Sequence, residues 1–170
     1  MRFAYHASMC APDQYIPLAR AVEAAGFDSF TFPDGICYPQ QTSTKYPYND
    51  DGSREFLDGV PFIETFIAMA AAAAVTTRLR MTTSVVKLAI RQPLIVAKQL
   101  SSLAVLSNNR IALGVGLSPW PEDFAACQVP WEGRGKRMDE IIDIIRGLMS
   151  GDYFGYEGEV FQIDPLKICP

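Results

Sequence analysis

Four short stretches of this sequence end in residues able to do chemistry: His6-Ala7-Ser8, Pro33-Asp34-Gly35, Ser84-Val85-Val86-Lys87 and Gly114-Val115-Gly116-Leu117-Ser118. His6 is the only histidine. It cannot belong to a multi-histidine metal site, and a Ser-His-Asp triad would have to use it, yet no GxSxG turn is present. It reads both as a pocket residue able to move a proton and as a satisfied, partly buried histidine. Asp34 has the chemistry to orient a substrate or accept a proton. Its setting between Pro33 and Gly35 also suits a turn aspartate bonded to its own backbone. Gly114 and Gly116 let backbone come close to a flat or anionic ligand, but no third glycine stands at the Rossmann spacing and no Walker lysine follows. Arg134, Lys136 and Arg137 together make either an anion seat or a solvated face.

These residues matter only if the chain brings them together, and the hydrophobic pattern says how. Arg2 to Ala7 reads as a first strand, followed by a helix over Tyr15 to Ala25 that Gly26 stops. Ser29 to Phe32 is a second strand. Pro33 to Gly59 is a long loop rich in Pro, Gly and Tyr, and loops of that length inside a compact domain are usually functional. Pro61 to Thr76 reads as a second helix, with Pro61 in its first turn. The β-branched run at Thr82 to Val86 marks a third strand within Arg80 to Pro93. A helix over Leu94 to Leu106 and a fourth strand over Arg110 to Val115 follow. A short turn at Pro121 to Cys127 precedes a helix over Arg134 to Met149, whose stripe includes Met138, Ile141, Ile142, Ile145 and Leu148. Tyr153 to Tyr156 and Val160 to Ile163 suit a hairpin turning at Glu157-Gly158. Alternating strands and helices give an α/β fold with a parallel sheet, either a small open sheet or half of an eight-stranded barrel. In both, the chemistry gathers at the C-terminal strand ends, where all four stretches lie.

The chain has 170 residues, 49% hydrophobic and 20% charged, enough for one domain with a sizeable core. A net charge of -4 and a pI near 5.0 speak against a nucleic-acid or anionic-membrane surface. Cys10, Cys37, Cys127 and Cys169 are scattered without a CxxC, so neither a zinc site nor a disulfide scaffold is indicated, and a reducing cytoplasm is expected. The sequence shows no signal peptide, and its longest apolar run, Phe66 to Val75, is too short to span a bilayer.

Several stretches together resemble one family. IALGVGLSPWPEDF from Ile111 and RGKRMDEIIDIIRGLMSGDYFGYEGEVFQI from Arg134 look like the luciferase-like monooxygenase family, in particular its branch that uses the deazaflavin coenzyme F420. MTTSVVKLAIRQPLIVAKQLSSLAVLSNNR from Met81 and FDSFTFPDG from Phe27 are similar to the third and second strands of that family. The resemblance implies a TIM (β/α)8 barrel, residues 1–170 being the first four βα units of a single domain, with a long loop near 33–60 and strand five onward absent. It implies a non-prolyl cis peptide at Ser84-Val85 beneath a flavin or deazaflavin ring, with Gly116 and Ser118 also touching the cofactor. Asp34 falls where the family places an acid near the reactive carbon, with His6 the other proton handler. Gly35 departs from the sugar-phosphate dehydrogenase branch, where a histidine follows that acid. Tyr38 and Trp120, with Tyr46 and Tyr48, would wall a substrate pocket. The implied activity is hydride transfer between F420 and a small organic substrate. The alternatives are an FMN-dependent monooxygenase and a non-catalytic flavin-binding half-barrel. A homodimer through the outer helices is also expected from the resemblance.

Overall fold

The computed structural model describes residues 1–42 and 44–169. Its framework is a four-stranded parallel sheet in the order β1-β2-β3-β5, where β1 is Ala4–His6, β2 Ser29–Phe32, β3 Arg80–Thr83 and β5 Ile111–Ala112. The register pairs His6 with Thr31, Thr31 with Thr82 and Thr82 with Ala112. Because strand side chains alternate, these residues share one face, and Phe30, Phe32, Met81 and Thr83 share the other. The second set is buried beneath α1 (Tyr15–Ala24) and α2 (Thr65–Val75), with Phe30 and Phe32 rings 4.7 Å apart. The first set is polar or small and carries no helix, as the inner face of a barrel would be.

Two expected strands are each split in two. The run from Arg80 to Val86 breaks at Ser84-Val85, whose peptide bond is cis, and resumes as β4 (Val86–Lys87). The run from Arg110 to Val115 breaks at Gly114 and resumes as β6 (Val115–Gly116), which pairs with β4. The breaks face each other. The Thr83 hydroxyl donates to the Gly114 carbonyl at 2.6 Å and accepts from its N–H at 2.8 Å, replacing ladder bonds. A Cβ at residue 114 would stand 2.2 Å from the Thr83 carbonyl oxygen, so only glycine fits.

The second helix starts later than the expected Pro61. Glu64 is extended, and its carboxylate accepts the Ile67 N–H at 3.0 Å, which caps α2 at Thr65. The helix α3 (Pro93–Ser107) begins with Pro93 behind a Gln92 side-chain cap and ends at Asn108 in the left-handed region. Arg110 then staples α2 to α3, its guanidinium donating to the carbonyls of Ala73, Thr76, Leu79 and Ser107.

The short α4 (Pro121–Ala126) and α5 (Arg134–Leu148) follow. The hairpin forms from β7 (Phe154–Glu157) and β8 (Gln162–Leu166), its second strand shifted a few residues beyond the expected span. Buried Glu140 on α5 holds its turn by accepting the N–H groups of Glu159, Val160 and Phe161. Burial acts to raise the Glu140 pKa, but these donors outweigh it and hold the carboxyl below its ordinary value. The outer edge of β5 opens on an apolar groove of about 450 Å3 between α3 and α5, lined by Leu100, Ile111, Ile142 and Ile145 among others. Among the described residues no helix is long and apolar enough to cross a membrane.

Candidate functional site

The break at Ser84-Val85 makes a ledge at the C-terminal ends of β3 and β5. Val85 is 48% exposed on it. Gly116 packs so closely behind that an added Cβ would lie 2.7 Å from Val85 Cγ2. A flat ring therefore finds here a projecting valine and a backbone without side chain, the cradle that a flavin or deazaflavin requires.

Beside the ledge lies a cavity of about 310 Å3, lined by Asp34 to Tyr38, Arg54, Leu57, Val60, Phe62, Lys87 and Trp120. Its floor is an ionic network between the loops. Asp123 on α4 is fully buried and accepts from Lys87 Nζ at 2.5 Å, Ser118 Oγ at 2.8 Å and, weakly, Cys37 Sγ at 3.7 Å. Burial first, then the Asp123 carboxylate, pushes the Cys37 thiol up. Arg54, 5% exposed, lies over the Trp120 ring at 3.6 Å and reaches Thr42 Oγ1 at 3.2 Å and Glu122 at 3.7 Å. Burial acts to raise Glu122, but the hydroxyls of Thr42 and Thr44, its own N–H and Arg54 prevail and lower it.

Several expected residues take different parts. Asp34 is neither a self-bonded turn aspartate nor a free proton handler. Its side chain is 1% exposed and accepts from Arg91 at 2.7 Å, Thr65 Oγ1 at 3.2 Å and the Lys87 N–H at 2.8 Å. With both oxygens engaged it ties β2, α2 and β4 together, a positioning role. Ser118 is likewise not on the ledge: it is 3% exposed, and its hydroxyl also accepts the Trp120 N–H at 3.1 Å. His6 lies apart from the cavity on the open sheet face, its Nδ1 2.7 Å from Thr31 Oγ1. Tyr38 does line the cavity, 38% exposed. Trp120 is 6% exposed and sandwiched between Arg54 and Tyr46, while Tyr48 is 84% exposed and away from it. A Cβ at Gly35 would meet the Phe62 ring at 2.6 Å, so Phe62 fills the space a side chain there would need.

The basic group on α5 is not an anion seat. Arg134 stacks on Trp131, Lys136 pairs with Glu159, and Arg137 binds the Ala89 carbonyl under Phe161. Sequence reasoning missed Arg54 and Asp123. Their partners lie 12 or more residues away in the chain, apart from the Asp123 bond to Ser118, and no local spacing announces them. Among the described residues no cluster suits a metal ion.

Half of a parallel β/α barrel with a ring-sized ledge at its strand ends defines a cofactor-binding barrel class. The chain belongs to the luciferase-like monooxygenase family, which it matches over residues 3–170. It is 56% identical over 170 residues to an uncharacterized protein of Mycobacterium tuberculosis, covering 100% of this chain and 59% of the relative. It is 30% identical over 175 residues to an F420-dependent glucose-6-phosphate dehydrogenase of Mycobacterium avium, covering 99% of this chain and 47% of the relative. Thus the chain spans about half to three-fifths of the length of these curated relatives. Among solved structures, the monooxygenase RslO1 of Streptomyces bottropensis superposes with a TM-score of 0.79 at 22% identity, over 100% of this chain and 49% of that one. An FMN-bound Baeyer-Villiger monooxygenase component of Pseudomonas putida does so with a TM-score of 0.73 at 16% identity, over 95% of this chain and 43% of that one. These superpositions make the fold that of the first four units of a TIM barrel.

Proposed function

We propose that the protein is an oxidoreductase that moves a hydride between coenzyme F420 and a small organic substrate. The ledge formed by Ser84, Val85 and Gly116, opening beside a walled cavity, is the observation that carries this reading. The likeness to an F420-dependent dehydrogenase across 99% of the chain supports the choice of cofactor. F420, when bound, supplies a two-electron hydride carrier that reacts poorly with oxygen.

The chain's own residues do the rest. Val85 and Gly116 seat the ring, and the cavity walls exclude water around the substrate. Lys87, fixed by Asp123, presents an ammonium group in the cavity wall, and His6 offers an exposed imidazole on the sheet face. These are the groups placed to hold or move the proton that accompanies a hydride. Asp34 sets the Lys87 backbone and does not exchange protons itself.

A second reading, an FMN-dependent monooxygenase, is supported by the FMN-bound structural relative. Mixing the protein anaerobically with reduced F420 or reduced FMN and a panel of carbonyl acceptors, then admitting oxygen, separates the two. Acceptor-dependent F420 oxidation without oxygen uptake supports the first, and FMN-dependent oxygen uptake the second. Neither activity in the full-length protein overturns both. A homodimer through α2 and α3 is proposed as well, supported by exposed Ile67, Ile95, Val105 and Leu106. Sedimentation equilibrium returning a monomer would refute it.

A further inference from the structure

The cavity beside the ledge carries one donor that the fold leaves without a partner. Arg54 is 5% exposed, lines the cavity, and has a buried Nε with no acceptor among the described residues. Arg91 and Arg134 also carry a buried Nε of this kind, but neither lines the cavity. A buried N–H without an acceptor is costly, so the site favours a ligand that brings one.

The charges say what kind of acceptor. Lys87 is paired with Asp123 at 2.5 Å, Asp34 with Arg91 at 2.7 Å, and Arg54 with Glu122 at 3.7 Å. With each charge matched, an anionic ligand would enter beside Asp34 and Glu122 with no free counter-charge, which burial penalises. A neutral oxygen suffers no such penalty. The remaining wall is aromatic and aliphatic, with Tyr38, Phe62, Leu57 and Val60 enclosing about 310 Å3, room for a small ring compound.

We propose that this cavity binds a small, uncharged, planar carbonyl compound whose oxygen accepts a hydrogen bond from Arg54 Nε, which makes Arg54 the residue that sets substrate class. The ligand is called a substrate on the strength of the oxidoreductase reading above. Trp120 and Glu122 hold the guanidinium in place, one by stacking and one by charge.

Acetophenone, its carbon isostere α-methylstyrene, and benzoate test this by calorimetric titration of the full-length protein. The expected result is acetophenone binding about tenfold or more tighter than either of the others, the ratio a charge-assisted hydrogen bond gives. Arg54→Lys keeps the charge and removes Nε, and should bring acetophenone and α-methylstyrene to within about threefold. If that variant fails to fold, nitrogen-15 NMR of the Arg54 Nε–H in the wild type decides: acetophenone should shift it and α-methylstyrene should not. Equal wild-type affinity for the isosteres, tightest binding of benzoate, no binding of acetophenone, or an unchanged ratio in a folded Arg54→Lys each overturns the proposal. A parallel F420 titration separates the two readings. Selective acetophenone binding without F420 binding keeps the pocket assignment and removes the oxidoreductase reading.

Discussion

Replacing Asp123 with Asn should loosen the floor of the site at a measurable cost. Asp123 is fully buried and faces Lys87 Nζ at 2.5 Å, and the Lys87 side chain is 13% exposed. Removing one partner of a buried ion pair leaves the other charge uncompensated, which typically costs about 3–5 kcal/mol. Because Lys87 keeps some contact with water and Asn still accepts from Ser118, the lower end applies, about 3 kcal/mol. For a chain of this size that is a fall in Tm of roughly 6–12 °C. Lys87→Met should cost a similar amount, since it leaves the Asp123 carboxylate with only Ser118 and the weak Cys37 contact. The double variant Lys87→Met/Asp123→Leu should cost much less than the sum, because a buried pair replaced by apolar groups is often nearly neutral. Urea denaturation of the four proteins gives the coupling energy, expected at about 1.5 kcal/mol or more. Single-variant costs below about 1 kcal/mol that simply add would show that the pair is screened by water and does not organise the site.

Other regions give sharper local tests. Gly114→Ala should destabilise by about 1–3 kcal/mol, since its Cβ would meet the Thr83 carbonyl oxygen at 2.2 Å, with denaturant midpoints as the measure. Arg110→Lys should lose the bonds to Ala73 and Thr76 and cost about 2–3 kcal/mol, with faster amide exchange at the C-terminal end of α2. Glu140 has its pKa lowered in the fold, so its contribution is present above the unfolded carboxylate value and lost as pH falls through the folded one. Glu140→Gln should therefore flatten the acid limb of stability against pH, and a slope identical to wild type would count against this role.

Much of the frame was legible because its signals are local. The stripe on α5 and the short apolar run of β2 appear in the sequence with nearly their observed bounds. The expected cis bond at Ser84-Val85 came from resemblance and is present. The strand breaks were not legible, since the β-branched run at Thr82 to Val86 reads as continuous until Thr83 is seen bonding Gly114 across the sheet. Pro61 misplaced the start of α2 because the cap is a glutamate whose role depends on the backbone around it. The site suffered most. Arg54 with Glu122, Lys87 with Asp123 and Arg91 with Asp34 are pairs 36 to 68 residues apart or more, and only the closed β/α units bring them within reach. Asp34 was a sound choice by position, but its three donors come from β4, α2 and the turn before α3, and they turn a free acid into an anchor.

The central claim is that Ser84, Val85 and Gly116 seat a deazaflavin ring. The most direct measurement is an equilibrium titration of the full-length protein with F420 and with FMN, followed by the visible spectrum, for wild type beside Gly116→Ala. The added Cβ would stand 2.7 Å from Val85 Cγ2 and push that side chain into the ring's place. Saturable F420 binding, about tenfold or more weaker in the variant, is the expected result. Absence of saturable binding by either cofactor, or equal affinity in the two proteins, would contradict it.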